Sequence, residues 1–168
     1  MLLRYKKLCN EAMQPTYGSD GAAGLDLYST GDYWIKPGET VKISTGISVE
    51  IPAGYFGAVY ARSGLATKNN LRPANCVAVI DSDYRGEIIV AMHNDGTCDG
   101  QQIHKGDRIA QMVIQPYVEA TLLESYDLSE TKRGNGGFGS TGRNVCRKTE
   151  DYDYEQISLY DILKEGGR

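Results

Sequence analysis

The densest set of residues that could do chemistry lies at positions 133–142, in the segment RGNGGFGSTG, which holds five glycines. Glycines allow a backbone to curl its N–H groups toward a single point. Those donors, the Arg133 guanidinium and the hydroxyls of Ser140 and Thr141 suit a phosphate chain, and Phe138 offers a flat face to a base or sugar. The segment predicts a nucleotide-binding loop, and a Gly/Ser linker is the alternative.

Two familiar nucleotide motifs overlap this segment without fitting it. Gly134, Gly136 and Gly139 match G-x-G-x-x-G, but that dinucleotide-binding turn needs a strand before it and a helix after it, and polar residues flank it here. A P-loop needs a lysine at the position that Ser140 occupies. Both interpretations are therefore disfavoured.

The strongest candidate for a catalytic group is Asp81, in the segment AVIDSDYRGE at residues 78–87. An apolar strand runs directly into two acids, a tyrosine and an arginine. Asp81 can orient and deprotonate a water if it faces a cleft. A β-turn built on Asp83 and Gly86 is the structural alternative, and both interpretations can hold because turns also carry catalytic residues.

Three shorter segments offer further polar groups. Arg62, Ser63 and Gly64 stand at the start of a possible helix and predict an anion site, with Ser63 as a simple helix N-cap as the alternative. Asp26 interrupts an apolar strand, where it either pairs with a cation or ends the strand at the surface. Gln111 supplies a side-chain donor on a strand that follows a Gly-Asp turn.

The elements that position these groups are predicted to be β-strands. Residues 41–51 place apolar side chains at alternate positions, which predicts one half-buried strand, and residues 55–60 would return as the second strand of a hairpin. Twenty glycines and short, regularly spaced strands predict an all-β barrel or sandwich with one short helix at 63–70. Further strands are predicted at residues 2–8, 25–28, 76–80, 87–93, 108–115 and 118–124.

Composition narrows the class of protein. The chain of 168 residues has the size of one domain, and its net charge of −4 disfavours a general nucleic-acid binder without excluding a nucleotide enzyme. No apolar run approaches the ~18 residues of a membrane span, and the N-terminus lacks the apolar core of a signal peptide. Four widely spaced cysteines indicate free thiols. We expect a cytoplasmic protein without membrane or nucleic-acid partners.

Taken in order, these segments resemble the five motifs of the trimeric dUTP pyrophosphatase (dUTPase) family, and the resemblance covers roughly residues 1–142. A single motif would be weak, but five in the same order make coincidence remote. The motifs are AAGLDLYS (22–29), ARSGLATKN (61–69), AVIDSDYRGEI (78–88), KGDRIAQMVI (105–114) and RGNGGFGSTG (133–142).

The resemblance implies a jelly-roll-like β-barrel protomer that forms a homotrimer with active sites at subunit interfaces. It implies hydrolysis of dUTP to dUMP and pyrophosphate with Mg²⁺, which lowers dUTP and supplies dUMP for thymidylate synthesis. Asp81 would activate a water that attacks the α-phosphorus, and Asp26 would act on Mg²⁺ only through a water. The implied substrate-binding residues are Arg62, Ser63, Gly64, Asn75, Val79, Ile80, Tyr84, Gln111, Arg133, Phe138, Gly139, Ser140 and Thr141.

The resemblance also implies how parts of this set contact the base, the sugar and the phosphates. The segment around residues 75–80 would form a hairpin whose backbone pairs with uracil, and Tyr84 would pack on the deoxyribose. Residues 133–142 would be a mobile lid over the phosphates, with Phe138 stacked on the base. Ala61 and Ala78 replace a proline and a glycine that are usual in the family; a positive φ at Ala78 would cost about 1 kcal/mol.

The predicted organisation is a barrel at 1–132, the lid at 133–142 and an extension at 143–168. The extension is either a disordered appendage or a segment that docks a protein partner, with a possible amphipathic helix at 155–165. Two other functions remain as alternatives: a dCTP deaminase-related enzyme, and a dUTP-gated regulatory binding protein that uses this extension. A viral source would place the protein in a host cell.

Overall fold

The computed structural model describes residues 1–137, so Phe138 and all later residues lie outside the described part of the chain. The chain divides into two compact units, Met1–Thr121 and Leu122–Arg168. All the strands and the helix that the structure describes lie in the first unit, and residues 122–137 of the second contain turns and bends without a helix or strand. The predicted division at residues 132 and 142 stays a prediction.

The first unit contains twelve short strands and one helix. They are β1 (Arg4–Lys7), β2 (Thr16–Tyr17), β3 (Leu25–Tyr28), β4 (Tyr33–Ile35), β5 (Thr40–Ser44), β6 (Ile47–Glu50), β7 (Tyr55–Tyr60), α1 (Ser63–Lys68), β8 (Leu71–Pro73), β9 (Ala78–Ile80), β10 (Ile89–Asn94), β11 (Gln101–Ile103) and β12 (Arg108–Pro116). The predicted jelly-roll-like all-β class with one short helix is confirmed. No helix in the described residues has the length and hydrophobicity to cross a membrane.

The strands form four sheets, in which every pairing is antiparallel. The largest has the order β2-β3-β12-β7-β9, a second has the order β5-β10-β8, and two further pairs are β1-β6 and β4-β11. A continuous core of aliphatic side chains and methionines, including Leu27, Ile43, Val59, Met92 and Met112, is almost completely buried. This core fixes β3, β12 and β7, which are the strands that carry the candidate site.

The prediction of one strand over residues 41–51 is wrong, because the segment breaks into β5 and β6 at Thr45 and Gly46. Gly46 has a φ of +64°, and a Cβ there would lie 2.7 Å from the Ala12 Cβ and 2.8 Å from the Cys9 Sγ. Thr45 is fully buried and donates its hydroxyl to the Ile88 carbonyl. The alternation of apolar residues continues from β5 into β6, so the glycine at position 46 is the only sequence signal of the corner between them.

The predicted hairpin of residues 41–51 and 55–60 is also wrong. β6 pairs with β1, whereas β7 pairs with β12 and β9. The strand predicted at 118–124 does not form, since β12 ends at Pro116 and the side chains of Val118, Leu122 and Leu123 are almost fully exposed. The sequence also missed β2, β4, β8 and β11, whose two or three residues are too few to show a period.

Candidate active site

A row of polar side chains crosses the middle of the five-stranded sheet. Asp26 on β3 faces Gln111 on β12, and Gln111 faces Tyr60 on β7. Directly paired residues of antiparallel strands project from the same face of a sheet, and so does a residue two positions further along. Arg62 follows Tyr60 by two residues, and its Nε lies 3.1 Å from the Asp26 Oδ1. The interpretation of Asp26 as the partner of a cation is therefore confirmed.

A β-bulge brings a second arginine to the same carboxylate. The register between β3 and β12 shifts between Arg108 and Ala110, so that Arg108 faces Tyr28. Strict alternation would have placed Arg108 on the face of the buried Ala110, whereas the extra residue turns it to the face of Asp26. The Arg108 Nη1 donates to the Asp26 Oδ2 over 3.1 Å.

A cavity of about 240 Å³ lies over this ion cluster. The structure brings Arg62, Ser63, Gly64 and Gln111 together at its wall, beside Asp26. The Gln111 Nε2 donates to the Ala61 carbonyl over 2.9 Å, which fixes the start of the loop that carries Arg62. The cavity presents two guanidinium groups against one carboxylate, so its chemistry suits an anion.

The alternative role of Ser63 as a helix N-cap is wrong. Helix α1 has Arg62 as its N-cap residue, and no side chain caps it by a hydrogen bond. Ser63 is the first residue of the helix, and Thr67 Oγ1 donates to its carbonyl. A Cβ on Gly64 would meet nothing within 4 Å, so packing in the described structure does not require a glycine there.

Asp81 lies at a second, larger cavity of about 610 Å³. Phe56 and Tyr117 contribute aromatic side chains to its wall, and Val79 and Asp83 stand beside Asp81. The side chain of Asp81 is exposed and follows β9 directly. The volume is in the range of typical small-ligand sites, which are roughly 300–1,000 Å³.

The loop that carries Asp81 is tied down by its own residues. The Tyr84 N–H donates to the Asp81 carbonyl over 3.2 Å, which closes a tight turn at Asp81 to Tyr84. The Arg85 Nη1 donates to the Ser82 and Tyr84 carbonyls, and Ser48 donates to the Arg85 carbonyl. A turn therefore positions Asp81, but it spans Asp81 to Tyr84 and does not include Gly86, on which the predicted turn was built.

Glu87 attaches the other end of this loop to the corner between β5 and β6. Its Oε1 accepts a hydrogen bond from the Gly46 N–H over 2.7 Å and another from the Ser44 hydroxyl. The Tyr84 hydroxyl donates to the Glu87 carbonyl over 2.9 Å. These contacts hold Tyr84 at a defined place within the loop, and its predicted contact with a deoxyribose stays a prediction.

The predicted hairpin at residues 75–80 is not a paired hairpin. β8 pairs with β10 and β9 pairs with β7, so Asn75 lies in an exposed connection between two sheets. Val79 and Ile80 belong to β9, which is an edge strand of the described sheet. An edge strand has one row of backbone N–H and C=O groups without a neighbouring strand. Ala78 does not have a positive φ, because Asn70 is the only non-glycine residue among residues 1–137 that has one.

The two cavities lie at opposite ends of β7. Ile80, just before Asp81, pairs with Gly57, whereas Arg62 follows Tyr60. A strand advances about 3.4 Å per residue, so the step from Phe56 to Tyr60 separates the two ends by about 14 Å. The cavities share no lining residue. One copy of the chain therefore does not place Asp81 beside the arginine cluster.

The second unit contributes one predicted site residue that can be described. The Arg133 Nε donates to the Gly136 carbonyl over 2.7 Å, and the Gly134 N–H donates to the Thr131 carbonyl. Arg133 is thus held within its own turn. The predicted contacts of Phe138, Gly139, Ser140 and Thr141 lie outside the described residues, and so does the extension at 143–168.

The described residues contain no group of three or more His, Cys, Asp or Glu side chains that could hold a metal ion. Both oxygens of Asp26 are engaged by arginines. His93 contacts Thr40 and Asp95, and His104 contacts Asp32, away from both cavities. The side chains of residues 1–137 are therefore better suited to a metal ion coordinated mainly by phosphate oxygens and waters than to one coordinated mainly by protein side chains.

Sequence reasoning missed three residues at these cavities. Arg108 was hidden because its face depends on the bulge, which the apolar pattern does not announce. Phe56 lies near the start of β7 and Tyr117 directly follows the end of β12. These two strands are paired in the fold but far apart in the sequence, so no sequence spacing connects Phe56 and Tyr117 with Asp81. A strand-pairing scheme would have been needed to find all three.

Comparison with known proteins agrees with the motifs. Residues 10–142 match the sequence model of a family described as dUTPase. A deoxyuridine 5'-triphosphate nucleotidohydrolase of Nautilia profundicola is 49% identical over 143 residues, which cover 85% of this chain and 100% of the relative. The protein of the same name from Clostridium tetani is 46% identical over 141 residues, which cover 84% of this chain and 97% of the relative.

A solved structure shows the same fold. The dUTPase of Staphylococcus bacteriophage 80alpha with dUPNHPP is 30% identical and superposes with a TM-score of 0.79. The superposition covers 84% of this chain and 98% of the bacteriophage chain. Another structure of the bacteriophage 80alpha enzyme, a glycine-to-serine mutant with dUpNHpp, is 29% identical and gives a TM-score of 0.77.

Proposed function

This chain belongs to the dUTPase family and is a dUTP-hydrolysing enzyme, and from that premise we propose a mechanism in which Asp81 supplies the general base. Asp81 would take a proton from a water that attacks the α-phosphorus, which releases dUMP and pyrophosphate. The observation that carries the proposal is the exposed carboxylate of Asp81 on an anchored turn, at a cavity in the size range of small-ligand sites. A positioned base of this kind contributes roughly 10²–10⁴-fold to a rate.

We assign the cavity over the arginine cluster to the phosphate chain. The Arg62 guanidinium and the Ser63 hydroxyl provide donors that match phosphate oxygens, and the open space at Gly64 leaves room for one to approach the backbone. Gln111 acts mainly by holding the Ala61 carbonyl, which fixes the loop. Arg133, Gly139, Ser140 and Thr141 would close over the same phosphates, with Phe138 on the base.

The proposed active site is shared between copies of the chain in a homotrimer. Asp81 and Arg62 lie at opposite ends of β7, and the step from Phe56 to Tyr60 between these ends covers about 14 Å along the strand. A single dUTP that contacts both the base and the phosphate clamp would therefore take them from different subunits. A closed cyclic assembly repeats the same composite site at every interface.

The proposed substrate is dUTP with bound Mg²⁺. The metal would be held by phosphate oxygens and waters, since the described chain offers no cage of acidic side chains. Bound in this way, Mg²⁺ would offset negative charge on the leaving pyrophosphate. Asp26 contributes to the site through Arg62 and Arg108, and its predicted water-mediated contact with the metal stays a prediction.

Base selection would use the backbone of β9. The backbone N–H and C=O groups at Val79 and Ile80, on the edge strand β9, cannot rotate. If they match the hydrogen-bonding groups of uracil, some of them stay unpaired when cytosine binds instead. Such a mismatch costs about 1–3 kcal/mol for each unpaired group. Asn75 precedes this strand, and Tyr84 would pack on the deoxyribose and exclude a 2′-hydroxyl.

The test is release of pyrophosphate from dUTP, dCTP, dTTP and UTP by the parent protein and by Asp81→Asn. We expect turnover of dUTP alone and a loss of at least about 10²-fold in the variant, which keeps the shape of the side chain but is not a base. Asp32→Asn makes the same change at an exposed carboxylate elsewhere and serves as the control. Equal rates for parent and Asp81→Asn would refute the assignment, and ammonia release from dCTP would favour the deaminase alternative.

The extension at 143–168 and a cytoplasmic location stay predictions. A truncation that ends at Gly142 separates the two proposed roles of the extension. Unchanged turnover, assembly mass and partner binding would leave it an appendage and would remove the regulatory alternative.

A further inference from the structure

The Arg62 guanidinium is held on two sides by groups from the neighbouring strands. Its Nε forms an ion pair with the Asp26 Oδ1 over 3.1 Å, and its Nη1 donates to the Arg108 carbonyl over 3.1 Å. A guanidinium carries five N–H donors in a rigid plane. Two anchors on that plane fix its orientation, and the remaining donors stay available beside the cavity of about 240 Å³.

Asp26 can anchor Arg62 because burial and strand pairing hold it in the sheet. Its residue is 6% exposed, and its strand is paired on both sides, with β2 and with β12. A buried carboxylate is costly unless cations accompany it. Arg62 and Arg108 take one oxygen each, so the carboxylate and the two guanidinium groups form one cluster with a formal charge of +1.

Arg108 contributes to this cluster with both its side chain and its backbone. The Nη1 binds the Asp26 Oδ2, and the carbonyl of the same residue accepts from the Arg62 Nη1. Both contacts depend on the bulge between Arg108 and Ala110, which turns Arg108 toward Asp26. The side chain of Arg108 is about half exposed, so its replacement does not open a hole in the core.

We propose that Asp26 and Arg108 are positioning residues that hold the Arg62 guanidinium in the orientation that binds the triphosphate. The inference rests on the proposed function, in which Arg62 contacts the phosphate chain. Hydrogen-bond donors that are already oriented lose less conformational freedom when the ligand binds. A misplacement of about 1 Å can lower a reaction rate by up to about 10²-fold.

If Asp26 acts only through its charge, Asp26→Asn should strengthen triphosphate binding, whereas if Asp26 positions Arg62, the variant should weaken it. This variant therefore distinguishes the two roles. Removal of the carboxylate raises the charge of the cluster from +1 to +2, and charge alone would then strengthen the binding of a polyanion. Loss of the anchor instead frees Arg62 and sets two guanidinium groups against each other. The positioning account therefore predicts weaker binding in spite of the added positive charge.

The experiment measures calorimetrically the affinity of the full-length protein for an α,β-imido analogue of dUTP and for dUMP, first with EDTA and then with Mg²⁺ present. We expect Asp26→Asn and Arg108→Met to bind the triphosphate analogue about tenfold more weakly, with dUMP changed by less than about twofold. Arg108→Lys keeps a cation for Asp26 and should recover most of the affinity. Arg4→Met removes an exposed arginine that forms an ion pair of the same 3.1 Å length with Glu50, and should change nothing.

Each contrary result has a distinct meaning. Unchanged or tighter binding of the triphosphate analogue by Asp26→Asn would overturn the proposal, and so would a loss seen only when Mg²⁺ is present, because that loss would place Asp26 at the metal. A parent protein that releases no pyrophosphate from dUTP would contradict the proposed function itself. If the parent hydrolyses dUTP and Arg108→Met binds the triphosphate analogue with unaltered affinity, the positioning role alone is contradicted.

Discussion

The Arg108 Nη1 lies 3.1 Å from the Asp26 Oδ2, and the two side chains meet because β12 contains a bulge where it passes β3. A regular strand would have directed Arg108 to the face that holds the buried Ala110. A single irregularity of the backbone thus decides which charges surround Asp26. The same sheet places Asp81 at a separate cavity, so the phosphate-binding groups and the proposed base are distinct targets for mutation.

Gly64→Ala should raise stability slightly while it weakens substrate binding. A Cβ at this position meets nothing within 4 Å in the described structure, and the residue lies in helix α1 without a positive φ. Alanine should then stabilise the fold by about 0.5 kcal/mol, since it is the better helix former. A phosphate close to the backbone would meet the new methyl group, so we expect KM for dUTP to rise by about tenfold. An unchanged KM would remove Gly64 from the binding site.

Glu87→Ala should loosen the loop that carries Asp81. The Glu87 Oε1 is the acceptor for the Gly46 N–H and for the Ser44 hydroxyl, and the alanine variant leaves both donors without it. We expect a loss of about 1–3 kcal/mol in the free energy of unfolding and a lower kcat, because a partly buried donor loses its partner.

Two variants show whether this effect comes from the lost acceptor. Glu87→Gln keeps the acceptor oxygen and should lose less than about 1 kcal/mol. Glu50→Ala, which breaks an exposed ion pair, should lose no more than about 0.5 kcal/mol. Urea unfolding at one fixed protein concentration provides the values, since the stability of an oligomer depends on concentration. Equal losses in Glu87→Ala and Glu50→Ala would contradict an anchoring role.

Gly46→Ala should be much more destabilising than Gly38→Ala, although both glycines have a positive φ. Their φ values are +64° and +73°, but a Cβ at Gly38 meets nothing within 4 Å. At Gly46 the Cβ would lie 2.7 Å from the Ala12 Cβ. We expect about 1 kcal/mol for Gly38→Ala from backbone strain, and a further loss of about 1–3 kcal/mol for Gly46→Ala from overpacking. Similar losses in thermal or urea unfolding would show that the contact with Ala12 relaxes freely.

Local pattern predicted much of the fold but not its pairing. The segments at 25–28 and 55–60 are strands as predicted, because their sequences already alternate or carry branched and aromatic residues. The corner at Gly46 was missed, because an apolar period of two continues on both sides of it. Pairing depends on contacts between residues far apart in the chain, which no local period specifies.

The candidate site was predicted as a set of groups and not as a geometry. Arg62, Ser63, Gly64 and Gln111 do meet at one cavity, and Asp26 lies beside them. The separation of this cavity from Asp81 follows from the register of β7 with β9, which is a property of the folded sheet. The partnership of Asp26 with Arg108 follows from the bulge, so its role as an anchor could not be inferred from the sequence.

The central claim is that Asp81 and Arg62 act together on one dUTP from different subunits. The most direct test co-expresses Asp81→Asn and Arg62→Met chains with different tags and purifies the assemblies that carry both. In a cyclic trimer with both kinds of chain, one of the three interfaces joins an intact Asp81 to an intact Arg62.

Each homotypic variant should be nearly inactive, and the mixed trimers should release pyrophosphate from dUTP at about one third of the parental rate. Native mass spectrometry confirms the composition of the purified assemblies. Mixed assemblies that stay as inactive as the two separate variants would contradict a shared site and would place both residues in the same subunit.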